Sequence, residues 1–124
     1  MIPKPPKKKR EAVRYWYENG TPVRAVCDLK TAKGSQQYRD WRLEAYIRDE
    51  GICCLCGAFV PWQMAQTEHK DGRGAGGSKR NDLPDAIGVC HPYGNTAKGS
   101  VGLARYLQLP QDVRLRNCGV IVRE

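Results

Sequence analysis

The sequence predicts a small α+β domain with flanking helices and a disordered basic N-terminal arm. Its 124 residues are enough for one domain with a modest hydrophobic core. Residues 35–49 have the apolar spacing of an amphipathic helix, whereas two short apolar runs, at 51–60 and 87–90, are typical of strands. We therefore expect four segments: the arm at 1–10, an N-terminal helical segment at 11–50, a core at 51–107 and a C-terminal docking segment at 108–124.

The charge of the chain is concentrated at its start. There are 21 Lys and Arg residues against 13 Asp and Glu residues, a formal net charge of +8. Five of the cations lie in MIPKPPKKKR, residues 1–10, which contains three prolines and no acid. This composition predicts a disordered arm that follows a nucleic-acid backbone; a solubilising tail and a nuclear localisation signal are the alternatives. Charge alone does not distinguish DNA, RNA and an anionic membrane as the polyanionic partner.

The apolar segments are short. None approaches the ~20 residues that cross a bilayer, and the basic start is not followed by the apolar region of a signal peptide. We therefore expect a soluble, unsecreted protein in the cytoplasm. In that compartment the six cysteines are expected to be reduced or metal-bound rather than paired in disulfides.

The N-terminal helical segment begins with residues Glu11–Glu18, for which the spacing of Val13, Trp16 and Tyr17 predicts a short helix that ends at the Asn-Gly pair after it. Residues Val23–Leu29 are then expected to form a strand. Within that strand, Cys27 has apolar neighbours, so we interpret it as a small buried side chain rather than a metal ligand.

A longer helix is predicted over residues 35–49. Ser35 is a suitable N-cap, and the glycine at position 51 is a suitable stop. The spacing of Tyr38, Trp41 and Ala45 places them on one face. We expect these aromatic side chains to pack in the core, in preference to forming a stacking platform for bases.

A cysteine knuckle is predicted within GICCLCGAFV, residues 51–60, between two short strands. Two cysteines two residues apart, Cys53 and Cys56, are the usual first half of a structural zinc site. The second half is incomplete. A second CxxC pair that began at Cys90 would need a cysteine at position 93, and that position is a tyrosine, Tyr93. The alternative to zinc is a small core of reduced cysteines. The candidates for the fourth ligand are His91, Cys118 and Cys54.

Residues 63–69 are predicted to form a strand that ends in Glu68 and His69. The next segment, GRGAGGSKR at 72–80, is rich in glycine and carries Arg73, Lys79 and Arg80. Such a loop can approach a phosphate backbone closely, and a surface loop without a specific role is the alternative. Further along, we expect a strand at 87–90, a helix at 95–107, and a strand or docking segment at 120–122.

Hydrolysis of a phosphodiester needs a base for the attacking water, positive charge near the phosphate oxygens and a Lewis acid at the departing oxygen. A histidine suits the first task because its unperturbed pKa lies near neutrality, and His69 is the candidate. Successive residues of a strand point to opposite faces, so Glu68 would reach the same site only across a bend.

Several motifs follow one another in the second part of the chain: YRDWRLEAYIRDEG from position 38, a CxxCG knuckle, EHKDGRGAGG from Glu68, a D-x-x-x-x-C strand from Asp85, and GNTAKGS from Gly94. This order, from Tyr38 to Ser100, resembles that of the HNH endonucleases, which have a ββα-metal core and are frequent in phages. The resemblance implies such a core at 51–107 and a bacterial or phage-infected host cell as the location.

The resemblance also implies roles for individual residues. His69 would be the general base, and Glu68 and Asn95 would be ligands of a catalytic Mg²⁺ or Mn²⁺. Arg73 and Lys98 would contact phosphate, with Lys79 and Arg80 of the glycine-rich loop as further DNA contacts. A structural Zn²⁺ would have its ligands among Cys53, Cys56, Cys90 and Cys118.

The chain departs from the family pattern at two positions. Asp85 stands where such motifs usually have an asparagine that fixes the loop of the base; a carboxylate could accept backbone hydrogen bonds or hold the imidazolium instead. The cysteine expected after Cys90 is missing. We expect a divalent-metal-dependent endonuclease that acts on duplex or branched DNA and leaves 5′-phosphate and 3′-hydroxyl ends. The alternative is a basic, zinc-containing module that binds DNA or an assembly partner without cutting.

Overall fold

A computed structural model of the chain describes residues 2–5, 10–70, 80–99 and 101–121. Within these ranges the protein is a small mixed α/β protein with two two-stranded antiparallel sheets and four helices. In chain order the elements are β1 (Val13–Glu18), β2 (Thr21–Cys27), α1 (Ala32–Arg48), β3 (Gln66–His69), a 3₁₀ turn (Pro84–Ala86), β4 (Ile87–Cys90), α2 (Pro92–Lys98), α3 (Leu103–Tyr106) and α4 (Gln111–Asn117). The arm predicted to be disordered lies partly outside the described residues, which omit 1 and 6–9.

The first sheet is a β-hairpin, so the prediction of a helix at residues 11–18 is wrong. Asn19 and Gly20 both have positive φ, 51° and 78°, and connect β1 to β2 as a two-residue turn. Two-residue turns with positive φ match the twist of the two strands that they connect in a hairpin. The predicted strand over 23–29 is confirmed as β2, which begins at Thr21.

Helix α1 confirms the predicted long helix, but it begins three residues earlier. Thr31 is the N-cap, and its hydroxyl accepts a hydrogen bond from Gly34 N at 3.0 Å. Gly34 lies against the hairpin, where an added Cβ would be 2.0 Å from the carbonyl oxygen of Asp28. Ala45 is buried, and Trp41 packs edge-on to a tyrosine of β1. The helix therefore lies directly on the hairpin.

The second sheet consists of β3 and β4, and the two predicted strands in this region are confirmed. All four residues of β4 are buried, and α2 begins two residues after the strand. The knuckle between α1 and β3 is less regular than predicted, because its two predicted strands are reduced to one bridge between Ile52 and Phe59. A hydrogen bond from Cys53 N to Ala58 O, 2.8 Å long, closes the turn between them.

The helix predicted over 95–107 is two helices. Gly99 has a φ of 58° and ends α2, after which α3 starts at Leu103. The predicted C-terminal strand is not formed at Val120 and Ile121, and position 122 lies outside the described residues. In its place, helix α4 precedes these residues and packs on α2.

The main core lies between the knuckle, the second sheet and the two C-terminal helices. Its fully buried members are Cys53, Leu55, Cys56, Val60, Ala65, Val89, Cys90, Tyr106 and Cys118. Four of these nine residues are cysteines, and all cysteines of the chain are free thiols. In the part of the chain that the structure describes, no helix combines the length and apolar character needed to cross a bilayer.

Candidate functional site

Four buried side chains form a cluster that could hold a metal ion: Cys53, Cys56, His91 and Cys118. Their ligand atoms all lie within 4.8 Å of one another. The knuckle supplies the first two, the residue before α2 supplies the imidazole, and the residue after α4 supplies the last thiol. Three separate segments therefore meet at this cluster.

The spacing of the ligand atoms suits a tetrahedral ion. The Sγ atoms of Cys53 and Cys118 are 3.9 Å apart, and Cys56 Sγ is 3.5 Å from His91 Nδ1. An ion bound at ordinary zinc–sulfur and zinc–nitrogen distances separates two sulfurs by about 3.8 Å and a sulfur from a nitrogen by about 3.5 Å. The four atoms could therefore surround such an ion with little rearrangement.

The tautomer of His91 is fixed by its second ring nitrogen. Nε2 lies 3.0 Å from the carbonyl oxygen of Phe59. A carbonyl only accepts hydrogen bonds, so Nε2 carries the proton and the Nδ1 lone pair faces the cysteines. Backbone N–H groups of Leu55 and Ala58 also point to Cys53 Sγ and Cys56 Sγ, at 3.4 Å and 3.5 Å. These donors favour thiolates, the form in which cysteine binds metal.

Burial, in contrast to these donors, disfavours the thiolate form of the cysteines. Desolvation raises the pKa of Cys56 and of Cys118 above the ordinary value for a thiol. A buried thiolate is stable only if a positive charge lies beside it, and a bound cation would supply that charge. The composition of the cluster, three thiols and one imidazole, therefore fits a metal ion better than it fits a neutral core.

The prediction that Cys90 belongs to the metal site is not supported. Its Sγ faces the carbonyl oxygen of Gln66 on the neighbouring strand, 3.6 Å away, and His91 takes its place in the cluster. Cys118, one of the candidates for the fourth ligand, lies beside Gly94: a Cβ on that glycine would be 2.2 Å from Cys118 Sγ. The sulfur from the C-terminal segment thus fills space that a side chain at position 94 would need.

A second group of polar residues lines a cavity of about 270 Å³ at the end of β3. Glu68, His69 and Asn95, three of the residues predicted to form the catalytic site, all contribute to its wall. Glu68 and His69 are both buried although they are successive residues of one strand. The structure thus brings the predicted base and the predicted metal ligands to one place.

Glu68 and Lys98 form a buried ion pair inside this second site. Lys98 was predicted to contact phosphate, but only 2% of its surface is exposed. Asn95 donates from Nδ2 to Gln66 Oε1 at 2.9 Å, and this hydrogen bond does not involve its own Oδ1. In the described ranges, no group of three or more His, Cys, Asp or Glu side chains other than the Cys/His cluster is close enough to share an ion.

His69 is held by a carboxylate that the sequence did not reveal. Its Nε2 lies 2.8 Å from Oδ1 of Asp82, which is fully buried. Asp85, predicted to be catalytic, is exposed on the 3₁₀ turn and lines a different hollow together with Lys70 and Asn81. Asp85 does not reach His69 because the 3₁₀ turn places it on the surface, three residues beyond Asp82. The only sequence signal for Asp82 was its place just after the basic loop.

Asp82 accepts hydrogen bonds from several donors. Arg80 approaches both carboxylate oxygens, with Nε 2.8 Å from Oδ1 and Nη2 2.7 Å from Oδ2, and Cys27 N donates to Oδ2 at 2.9 Å. Burial alone would raise the pKa of Asp82, but the hydrogen bonds from His69 and Arg80 outweigh it and hold the pKa below its usual value. Because the carboxylate is charged and only accepts, His69 Nε2 carries the proton and Nδ1 is left as the basic nitrogen.

The edge of β2 positions this carboxylate. Asp82 N donates to Ala25 O at 2.7 Å, while Asn81 Oδ1 accepts from Ala25 N at 3.2 Å. The segment therefore binds the strand edge through backbone and side chain together. Arg80, predicted to contact DNA, is instead engaged with Asp82 and with the carbonyl oxygen of Cys27 at 3.3 Å. The other two predicted contacts of the loop, Arg73 and Lys79, lie outside the described residues.

Comparisons of the chain with protein-family models, with curated proteins and with solved structures found no match. The resemblance to HNH endonucleases consequently rests on the motifs of the chain itself.

Proposed function

We propose that this protein is a divalent-metal-dependent DNA endonuclease in which His69 is the general base. The observation that carries the proposal is the Asp82–His69 pair at the cavity that Glu68 and Asn95 also line. Phosphodiester hydrolysis requires a base and a Lewis acid. The histidine, held by a buried carboxylate, would supply the base, and the two oxygen-bearing side chains would hold the metal ion that supplies the Lewis acid. The order of motifs along the chain supports the same conclusion.

In this proposal each residue has a separate task. His69 Nδ1 accepts the proton of the attacking water, and Asp82 stabilises the imidazolium that results, because its negative charge lies 2.8 Å from Nε2. Arg80 keeps Asp82 ionised and in position. Glu68 and Asn95 Oδ1 would hold a Mg²⁺ or Mn²⁺ ion, which supplies Lewis acidity to the phosphate when bound. Before the metal ion binds, Lys98 would neutralise the charge of Glu68.

We further propose that the cluster of Cys53, Cys56, His91 and Cys118 binds structural zinc. Support comes from the two ligand spacings, from the orientation of the imidazole and from the backbone donors to sulfur. All four ligands come from the protein, which is typical of structural rather than catalytic zinc sites. The ion would join the knuckle, α2 and the segment after α4.

The test is nicking of supercoiled plasmid with Mg²⁺ or Mn²⁺, with and without EDTA. We expect cleavage by the wild type that EDTA stops, and no cleavage by His69→Ala. Duplex affinity of that variant should be nearly unchanged, because a neutral imidazole adds little to binding. Cleavage at the wild-type rate by His69→Ala would refute the assignment of the base.

One observation favours a second candidate, a module that binds DNA without cutting it. The carboxylate of Glu68 is already neutralised by Lys98, so the site is electrostatically complete without a second cation. Such a module would show no EDTA-sensitive nicking at any metal concentration, while its DNA affinity would fall steeply as salt rises.

A further inference from the structure

The outer face of the β1–β2 hairpin is an unusual surface: it carries a tryptophan between two arginines. Cross-strand pairing of Trp16 with Arg24 and of Arg14 with Val26 places these four residues on one face of the two-stranded sheet. The opposite face carries the two fully buried residues of the hairpin, Ala25 and Cys27. We refer to Arg14, Trp16, Arg24 and Val26 as the hairpin outer face.

The guanidinium groups of Arg14 and Arg24 both lie over the indole ring of Trp16. Arg24 Cζ lies 3.4 Å from the centroid of the Trp16 ring, and Arg14 Cζ lies 5.2 Å from it. Contact with an aromatic face leaves the N–H groups at the edge of a guanidinium available to acceptors. Among the described residues, neither guanidinium has a hydrogen-bond acceptor or an ion-pair partner. The two charges are thus ordered but not neutralised.

The hairpin outer face continues into a cavity of about 540 Å³ that Arg14 and Val26 also line. In this cavity Arg10 is paired with Asp28 and Arg80 with Asp82, so Lys30 is the further cation, set against the acid Glu11. Because Arg80 holds Asp82, the surface extends to the carboxylate that positions His69. A polyanion lying along the hairpin would therefore be led toward the proposed catalytic site.

We propose that the hairpin outer face binds the phosphate backbone of duplex DNA beside the point of cleavage. The proposal extends the proposed function, since it names the surface on which the substrate of that site lies. Charge complementarity supports the choice of partner: two ordered, unneutralised guanidinium groups match phosphate oxygens, which they can bind through paired N–H groups. Trp16 is then a positioning residue that keeps both arginines facing outward.

The test measures the affinity of the full-length protein for a fluorescently labelled random-sequence DNA duplex across a range of salt concentrations. Arg14→Ala/Arg24→Ala is compared with Arg39→Ala/Arg105→Ala, which removes the same charge from exposed arginines elsewhere. Each lost phosphate contact lowers the slope of log K against log salt by about 0.9, so the hairpin variant should lose about 1.8. If the wild type and the hairpin variant bind equally at 1 M salt, the variant should therefore bind roughly 60-fold more weakly than the wild type at 0.1 M salt. The control variant should keep the wild-type slope.

Three further variants separate loss of charge from loss of structure. Arg14→Lys/Arg24→Lys retains the charges and should retain most of the slope, which separates loss of charge from loss of fold. Trp16→Ala should weaken binding, whereas Trp16→Phe, which keeps an aromatic face, should weaken it less. Circular dichroism melting of every variant checks that the protein is folded.

The proposal is overturned if the hairpin variant and the control have the same slope, or if the wild type does not bind duplex DNA at low salt. It is also overturned if the hairpin variant binds DNA normally and loses affinity only for vesicles of phosphatidylserine and phosphatidylcholine. Plasmid cleavage gives a separate result. If the wild type binds through the hairpin but does not cleave, the nuclease proposal fails and the DNA-binding surface remains. If the wild type cleaves but the hairpin variant and the control variant have equal salt slopes, the DNA-binding surface fails and the nuclease proposal remains.

Discussion

Replacing Cys118 by alanine should remove the metal from the Cys/His cluster. The variant keeps only two thiols and one imidazole of the four ligands, and the sulfur it removes is 3.9 Å from Cys53 Sγ. A ligand present at a thousand times its dissociation constant stabilises the folded state by about 4 kcal/mol. We expect Cys118→Ala to lose that contribution, together with about 1 kcal/mol for the buried sulfur itself.

Cys90→Ala is the matched control. Cys90 is as deeply buried as Cys118 and belongs to the same core, but its sulfur faces a backbone carbonyl and not the cluster. Its replacement should cost about 1 kcal/mol of unfolding free energy from lost burial and packing. The number of zinc ions bound should remain one.

The assay combines zinc content with urea unfolding in excess zinc and in excess chelator. For the wild type and Cys90→Ala, the chelator should lower the unfolding free energy by about 4 kcal/mol, whereas for Cys118→Ala the two conditions should differ by less than about 1 kcal/mol. The reasoning is refuted if Cys118→Ala keeps one equivalent of zinc and the full response to chelator, or if Cys90→Ala loses both.

Three other substitutions test the remaining contacts. Asp82→Asn should reduce plasmid cleavage and lower the unfolding free energy at neutral pH by about 3 kcal/mol, since a buried guanidinium loses its partner, while Asp85→Asn should change neither in the same assays. Lys98→Met should cost about 3 kcal/mol in urea unfolding because its carboxylate partner stays buried, and added Mg²⁺ should restore part of the loss if the site accepts a cation. Gly94→Ala should abolish zinc binding, measured by elemental analysis, because its Cβ would meet a ligand sulfur; Gly102→Ala, whose Cβ would meet no atom within 4 Å, should retain it.

The Asp82 contribution has a defined pH dependence. The pKa of this carboxyl is lowered in the folded protein, so its stabilising effect is complete above the unfolded value of about 3.9 and is lost as pH falls below that value. The difference in unfolding free energy between the wild type and Asp82→Asn should therefore shrink between pH 5 and pH 3. A difference that stays constant over this range would contradict the assignment of a charged Asp82.

Local sequence patterns predicted the elements that depend on local interactions. The strand over Ile87–Cys90 is an apolar run bounded by turns. Helix α1, which ends at Arg48, follows from its apolar spacing and from the glycine at position 51 that stops the helix shortly before it. The cysteine knuckle was also predictable, because two cysteines two residues apart have few other uses in a reduced chain. The grouping of Glu68, His69 and Asn95 followed from the order of the motifs, and the cavity they line agrees with it.

The hairpin was missed because its sequence is compatible with two periodicities. Val13, Trp16 and Tyr17 have helical spacing, and within β1 the two half-buried residues, Val13 and Trp16, are also three apart. Burial alternates only in the partner strand β2, over its last four residues. Asn-Gly ends helices and also forms two-residue hairpin turns, so it does not distinguish the two. The pairing that decides the matter is tertiary: the hairpin is covered by α1 on one face and bound by Asn81 and Asp82 along one edge.

Both candidate sites are completed by segments outside the stretch from Glu68 to Gly99, which contains the polar residues around His69 but only one ligand of the metal cluster, His91. Cys118 reaches the metal cluster only because Gly94 leaves room for its sulfur, and Asp82 is fixed by the edge of β2, far away in the sequence. Neither contact has a local signature, since a single cysteine or aspartate is compatible with many roles. It follows that the flanking segments belong to the sites themselves. A fragment limited to that stretch would lack three of the four metal ligands, Cys53, Cys56 and Cys118, and also the edge of β2 that supports Asp82.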